Sequence, residues 1–329
     1  MSTMNSPRSD HYAVLQQAAA WYARLGAEDA GDSERRKWQN WLSQNEEHRK
    51  AWALVEKIGG RFAQFQDPLE RNGAYKVLQS TSSSLMSRRQ TLLSMGVLAL
   101  GGALGWQLLN NGENGSLFAS IRADLSTSTG ETREFTLADG TRIWLNTASA
   151  LNVTVAPDVQ ALQLLKGEVL IDATRSRNKR TQVKTLHGKA QAYSAEFSAR
   201  LLNDDATCIT VYSGEVSVMA ADQRCDVHAG QQITLYGDRL DRPQPAPASG
   251  HAWTSGILVA EGMPLLQFVN ELSRYRHGYL ACDEKIAGLR VVGTFSIKDT
   301  DRALAALASV LPVAIKRTLP WWVTVEGRA

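Results

Sequence analysis

The sequence predicts a multidomain chain: a small all-α domain, one apolar helix long enough to cross a membrane, an all-β domain (a sandwich or short β-solenoid), and a small C-terminal α/β domain. Three observations predict this. Apolar residues recur at helical spacing over roughly the first sixty positions. An uncharged run extends from Gln90 to Gly112. From position 126 onward, short β-type runs recur every 8–12 residues or so.

Composition bounds the classes of function. The 329 residues are enough for two or three domains, and 43% apolar with 21% charged residues permits a buried core. Lys plus Arg (36) against Asp plus Glu (33) leaves only +3, which argues against a protein that coats nucleic acid. Three cysteines exclude a disulfide scaffold and a four-cysteine zinc site.

The first helix is expected from about Tyr12 to Leu25, on the stripe Leu15, Ala18, Ala19, Tyr22 and Leu25, with Gly26 ending it. Asp32 or Ser33 is expected to cap a second helix carrying Trp38, Trp41 and Leu42. Asn45 is expected to cap a third, with Glu46 and Glu47 favouring its dipole and Ala51, Trp52, Val55 and Ile58 as its stripe. Residues 62–79 read as a weaker fourth helix. These make a domain over 1–79, followed by a Ser/Thr-rich tether at 80–90. Four tryptophans, Trp21, Trp38, Trp41 and Trp52, are many for so small a core. Each either fills the core or offers an anchor to a partner.

Thr91 to Leu109 is a 19-residue apolar segment. At 1.5 Å per residue it is roughly 28 Å long, close to the hydrocarbon thickness of a bilayer. Arg71, Lys76, Arg88 and Arg89 lie near its N-terminal side and only Arg122 near the other. The N-terminal domain is therefore expected in the cytoplasm and the rest outside. Arg88 and Arg89 flank the span, either snorkelling at the interface or forming part of a twin-arginine export signal. Gly101 and Gly105 form a GxxxG within it.

After a linker at 110–125, the β domain is expected over 126–240. It opens with a hairpin, Phe135–Leu137 and Arg142–Leu145, around Asp139-Gly140. Further strands are expected at 151–155, 162–165, 169–173, 182–186, 190–197, 208–211, 216–219, 227–228 and 233–236. Gly-Glu-Val occurs at 167–169 and again at 214–216, 47 residues apart, through internal duplication or through two similar turns. Cys208 and Cys225 either bridge neighbouring strands or are buried free thiols. A Pro-rich linker at 241–250 leads to the last domain, 251–329. There a helix after Pro264 carries Leu265, Leu266, Val269 and Leu272, a second spans 301–310, and 313–316 pairs with 321–325.

No G-x-S-x-G, H-E-x-x-H or phosphate loop is present, and the six histidines are scattered without metal spacing. The expectation is a binding protein rather than an enzyme, with no cofactor and no metal.

Several motifs together resemble the FecR family of membrane sigma-factor regulators. They are Ala20-Trp21-Tyr22-Ala23-Arg24-Leu25, Trp38-x-x-Trp41-Leu42 and Asn45-Glu46-Glu47-His48-Arg49-Lys50-Ala51-Trp52 in the helical part. In the β part they are Gly130-Glu131, Asp139-Gly140-Thr141, Leu145-Asn146-Thr147-x-Ser149 and Leu165-x-Gly167-Glu168-Val169. In the last part they are Pro264-Leu265, Leu272-x-Arg274-Tyr275-Arg276 and Ala287-Gly288-Leu289-Arg290-Val291-x-Gly293-Thr294-Phe295. The last part is similar to the short domain shared by secretins and TonB-dependent transducers.

The resemblance implies a single-pass bacterial inner-membrane protein, with its N-terminus cytoplasmic and its C-terminus periplasmic. It implies an extracytoplasmic-function (ECF) sigma factor as cytoplasmic partner, with Trp21, Leu25, Trp38, Trp41, Leu42, Trp52 and Val55 as candidate contacts. It implies a second partner, the periplasmic signalling domain of a TonB-dependent outer-membrane receptor, with Leu265, Leu266, Val269, Leu272, Arg274, Tyr275 and Arg276 as candidates. Site proteases would relay the signal, and the output would be iron-uptake transcription prompted by a ferric siderophore or ferric citrate. No direct nucleic-acid contact is implied. Some members cleave themselves at a Gly-Thr before a Phe. Here the stretch reads Tyr193-Ser194-Ala195-Glu196-Phe197, which lacks that peptide bond. The alternative reading is a membrane-anchored periplasmic binding or structural protein without sigma-factor control.

Overall fold

The computed structural model describes residues 7–26, 31–66, 123–175, 179–202 and 205–328. The expected span at 91–109, the flanking Arg88 and Arg89, the tether at 80–90, the segment 67–79 and linker residues 110–122 lie outside the described residues. Among the described residues, no helix is long and apolar enough to cross a membrane. The described residues form two compact units, one made of those of the two ends (up to 66, and from 260) and one of those of the middle (123 to 259).

The N-terminal part is three helices: α1 (Pro7–Leu25), α2 (Asp32–Gln44) and α3 (Glu46–Gln66). Helix α1 starts earlier than its apolar stripe predicts, at Pro7, a residue whose fixed φ suits a first turn. Asn45 caps α3 as expected, its Oδ1 accepting the Glu47 N–H at 3.1 Å. Helix α2 differs. Gly31 is its N-cap and makes no side-chain cap, and Asp32 and Glu34 sit inside the first turn, where their charge complements the helix dipole's positive end. Helix α3 runs to Gln66, so the first residues expected of a fourth helix continue the third. Leu15, Ala18, Ala19, Trp41, Ala51, Trp52 and Val55 form the core between them. Ala18 and Ala19 are fully buried, and their small side chains let the helices approach closely.

The middle unit is β-rich. It comprises β1 (Leu125–Ser126), β2 (Arg133–Thr136), β3 (Arg142–Leu145), β4 (Ala150–Val155), β5 (Val159–Lys166), β6 (Glu168–Asp172) and β7 (Arg180–Thr185). Then come β8 (Gly188–Ala192), β9 (Ala195–Leu202), β10 (Ala206–Ala220), β11 (Gln223–His228), β12 (Gln231–Leu235) and β13 (Gln244–Pro245). Their order is β1-β4-β5-β7-β8-β10-β9-β6-β3-β2. Strand β10 holds it together: its first half pairs with β9 and β12, its second half with β8 and β11. The sheet thereby folds over one core, in which Leu162, Leu164 and Val183 meet Ile143, Ile171 and Phe197. The β2–β3 hairpin has the expected register, with Phe135 opposite Ile143, and Gly140 sits at φ +88° in its turn.

Three expectations change here. The run 190–197 is two strands broken at Tyr193-Ser194, where the chain passes from β8 to β9. The runs 208–211 and 216–219 are one strand, because a bulge between Val211 and Ser213 absorbs the apparent gap. Residues 241–250, read as a linker, contain β13, which pairs with β12.

The C-terminal part is β14 (Ile257–Pro264), α4 (Leu265–Ser273), β15 (Tyr279–Cys282), β16 (Arg290–Ser296), α5 (Thr300–Val310), β17 (Val313–Leu319) and β18 (Trp322–Gly327). Strands β15, β18 and β17 form one small sheet, and β14 with β16 another. The expected C-terminal hairpin is present, with Ile315 opposite Val325. Helix α5 is capped by Asp299, whose Oδ1 accepts the Arg302 N–H at 2.9 Å. In this unit Trp321 and Trp322 join the core of the three N-terminal helices.

Candidate functional site

The tryptophans of the helical part divide by burial. Trp41 (8% exposed), Trp52 (9%) and Val55 (0%) are core residues. Trp41 is fixed by its Nε1–H, which donates to Gln17 Oε1 at 2.9 Å, and by the His48 ring stacked 4.3 Å away. Trp52 lies between Trp38 (4.9 Å between ring centroids) and Tyr22 (5.9 Å). These three candidate residues build the module and cannot reach a partner without opening it. Trp21, Leu25, Trp38 and Leu42 are different. They pack on the core yet stay half-buried, on α1 and α2. The Arg24 guanidinium lies over the Trp21 ring at 5.3 Å, and the buried Trp38 Nε1–H has no hydrogen-bond partner among the described residues. Half-buried aromatics are what protein interfaces use as anchors. Of the seven candidates in this part, three are core and four stay half-buried.

The candidates in the last part shift in the same way. Leu265, Val269 and Leu272 are fully buried beside Phe268, and Tyr275 is 7% exposed. Arg274 is paired with Glu271 at 3.2 Å, and Arg276 with Asp301 at 3.1 Å. Arg317 reaches the same Asp301 carboxylate at 3.0 Å. Burial by itself would raise the Asp301 carboxyl, but the two guanidiniums hold it below the usual carboxylate range. The Leu-x-Arg-Tyr-Arg motif therefore ties α4 to α5 and β17. On α4, Leu266 is the large apolar residue left exposed. Sequence periodicity located the apolar stripe of α4, but a stripe marks the inward face rather than the contact face.

The β-module motifs converge on one buried knot. Asn146 Nδ2 donates to Glu168 Oε2 at 2.9 Å, and the Asn146 N–H donates to the Glu168 carbonyl at 3.0 Å. Ser149 Oγ accepts the Glu168 N–H at 2.9 Å. Thr127 Oγ1 donates to the Asn146 carbonyl at 2.5 Å and accepts the Ser149 N–H at 3.0 Å. Thr147 Oγ1 accepts the Gly130 N–H at 2.8 Å. So Gly130, Asn146, Thr147, Ser149, Gly167 and Glu168, scattered along 39 residues of sequence, close the junction of β1, β3, β4 and β6. Their role is to satisfy buried backbone groups. The two Gly-Glu-Val motifs share a geometry as well: Gly167 and Gly214 have φ +81° and +80°.

Cys208 and Cys225 are free. Cys225 on β11 stands opposite Val218, ten positions along β10 from Cys208. At ~3.3 Å per residue that is roughly 33 Å, far beyond disulfide reach. The bridge is excluded because β10 is one continuous strand, which its sequence had disguised as two. Burial raises the Cys208 thiol and pushes Cys282 up to about 12, so neither is poised as a nucleophile. Among the described residues, no group of three His, Cys, Asp or Glu side chains is placed to hold a metal.

Residues 123–217 match the family described as FecR protein. Residues 16–58 match a domain of unknown function, DUF4880. No curated protein matches the chain. Two crystal structures of a proposed anti-sigma factor from Parabacteroides distasonis ATCC 8503 share its fold at 18% identity, with TM-scores of 0.52 and 0.51. Each covers 62% of this chain, and 99% and 98% of its own. The FecR resemblance drawn from the motifs is borne out, and the knot of buried polar residues lies inside the matched region.

Proposed function

We propose that this chain, with its FecR domain joined to a DUF4880 helical module, binds and regulates an ECF sigma factor. The observation that carries the reading is that Trp21 and Leu25 on α1 and Trp38 and Leu42 on α2 stay half-buried, packed on a core that holds Trp41, Trp52 and Val55. A surface of that kind suits the exposed apolar stripe of a helical partner. The anti-sigma description of the Parabacteroides protein supports it.

The finer reading places the module in the cytoplasm, with residues 91–109 crossing the inner membrane and the FecR and C-terminal modules in the periplasm. What supports it is the 19-residue uncharged segment and the excess of Lys and Arg on its N-terminal side. The outer partner is then the signalling domain of a TonB-dependent receptor for an iron chelate. Site proteases relay its message, and iron-uptake genes respond. No catalytic step by this chain is part of the reading.

The test is affinity purification of the tagged full-length chain from its native membranes in mild detergent, followed by mass spectrometry. The reading expects an ECF sigma factor at near-stoichiometric yield, lost with Trp38→Ala. Recovery of the intact chain with no sigma factor would overturn it.

A further inference from the structure

The β7–β8 hairpin turns on two residues, Leu186 and His187, between the paired Thr185 and Gly188. His187 is tucked in, with its Nδ1 2.9 Å from Thr207 Oγ1, and the Thr207 hydroxyl donates to Thr185 Oγ1 at 2.9 Å. These buried hydrogen bonds anchor the tip to β10. Leu186 is left 84% exposed, the highest value of any large apolar side chain among the described residues. Nothing in a two-residue turn calls for leucine, since its geometry favours Asn, Asp and Gly. Two lysines stand behind it. Lys184 on β7 is directly opposite Lys189 on β8, and both are exposed. Like charges so placed destabilise a sheet. Neither lysine has an ion-pair partner among the described residues. The same register row continues through Met219 to a third cation, Arg224. Lysines often guard exposed sheet edges, but β7 and β8 are interior strands, lying between β5 and β10. The fold therefore gains nothing from the lysine pair or from the leucine ahead of it.

We propose that the β7–β8 tip is a contact site for an anionic lipid surface. Leu186 enters the headgroup layer, and Lys184 and Lys189 pair with lipid phosphates. An apolar residue ahead of a cationic collar is the arrangement of interfacial anchors, in which buried apolar area and attraction to anionic lipid add. Lysine suits a fluid surface, because its flexible stem carries a point charge that needs no fixed partner geometry. The anchored turn holds the leucine out in advance, so little ordering is left to pay on contact. An acidic protein segment would also meet the charge. However, one leucine at a two-residue tip lacks the cluster of aromatic and arginine anchors on which protein interfaces depend. The site uses neither the sigma-factor reading nor the proposed span.

The experiment uses the purified full-length chain with p-benzoylphenylalanine in place of Leu186. It is mixed with vesicles of phosphatidylcholine alone, or of equal parts phosphatidylcholine and phosphatidylglycerol, and irradiated. Mass spectrometry is expected to find lipid joined to residue 186 in the mixed vesicles, with at least about tenfold less in phosphatidylcholine alone. Lys184→Glu removes the collar's net charge and is expected to lower the yield in mixed vesicles by at least about tenfold. The same change replaces a like-charge pair by an opposite-charge pair, so the melting temperature should not fall, and unfolding is excluded as the cause. Lys285→Glu, at an exposed position of the C-terminal module, alters the net charge equally and should leave the yield unchanged. Equal yields in the two kinds of vesicle, or a yield indifferent to Lys184→Glu, would overturn the site. So would adducts to protein alone when the same chain is irradiated in its native membranes, which would give the tip to an acidic partner. Each of those results leaves the sigma-factor reading standing, because that reading rests on Trp21 and Trp38.

Discussion

Gly167 and Ser149 approach so closely that a Cβ on Gly167 would lie 2.7 Å from Ser149 Cα and 2.2 Å from its Oγ. Gly167 also holds φ at +81°, a region unfavourable to other residues. Gly167→Ala is therefore expected to destabilise the β module by about 2–4 kcal/mol, since both backbone strain and the lost Ser149–Glu168 bond contribute. Urea unfolding checks this, and a loss below about 1 kcal/mol would show that the junction relaxes freely.

The separation of Cys208 from Cys225 predicts that no disulfide joins them under any redox condition that leaves the fold intact. Non-reducing peptide mapping of the oxidised protein should find both alkylatable after unfolding. Cys225 is partly buried against the core, so Cys225→Ser should cost about 1 kcal/mol through lost packing, and no more than that.

Adjacent leucines on α4 should behave oppositely. Leu265 is fully buried, so Leu265→Asp places an unpaired carboxylate in the core and should cost at least about 4 kcal/mol. Leu266 is 41% exposed, and Leu266→Asp should leave the melting temperature nearly unchanged. If the outer partner uses this helix, the Leu266 variant is the one that reports it, because its fold survives. Thermal unfolding of the two variants separates the effects.

Alkaline titration should resolve Tyr212 as a late tyrosine. Burial pushes it up to about 12, with the Ser198 hydrogen bond opposing it weakly. Because the folded pKa lies above the unfolded value near 10, its contribution to stability is fully present below pH 10. It is lost as pH rises from 10 to 12. Absorbance at 295 nm should show this late step in the wild type and a smaller one in Tyr212→Phe.

Much of the fold was legible because periodicity reports burial. The helical stripe of Leu15, Ala18 and Ala19 and the Phe135–Ile143 hairpin needed no tertiary information. Two features were hidden by local irregularity. The bulge at Val211 to Ser213 interrupts alternation and made β10 read as two strands, and the Tyr193-Ser194 corner carries no Gly or Pro to announce it. The site was less legible for a different reason. Apolar spacing on α4 and α3 finds the buried face, so Leu265, Leu272 and Val55 looked like contacts when they are core. The proposed contacts Trp21 and Trp38 are aromatics left half-buried, and that depends on neighbours distant in sequence.

The most direct measurement is a photo-cross-link from position 38 in the native, membrane-inserted chain, read by mass spectrometry. The account predicts an adduct between residue 38 and an ECF sigma factor, with no adduct from position 55 in the module's interior. An adduct at position 38 only with membrane or outer-envelope proteins, or none from any of positions 21, 25, 38 and 42, would contradict it.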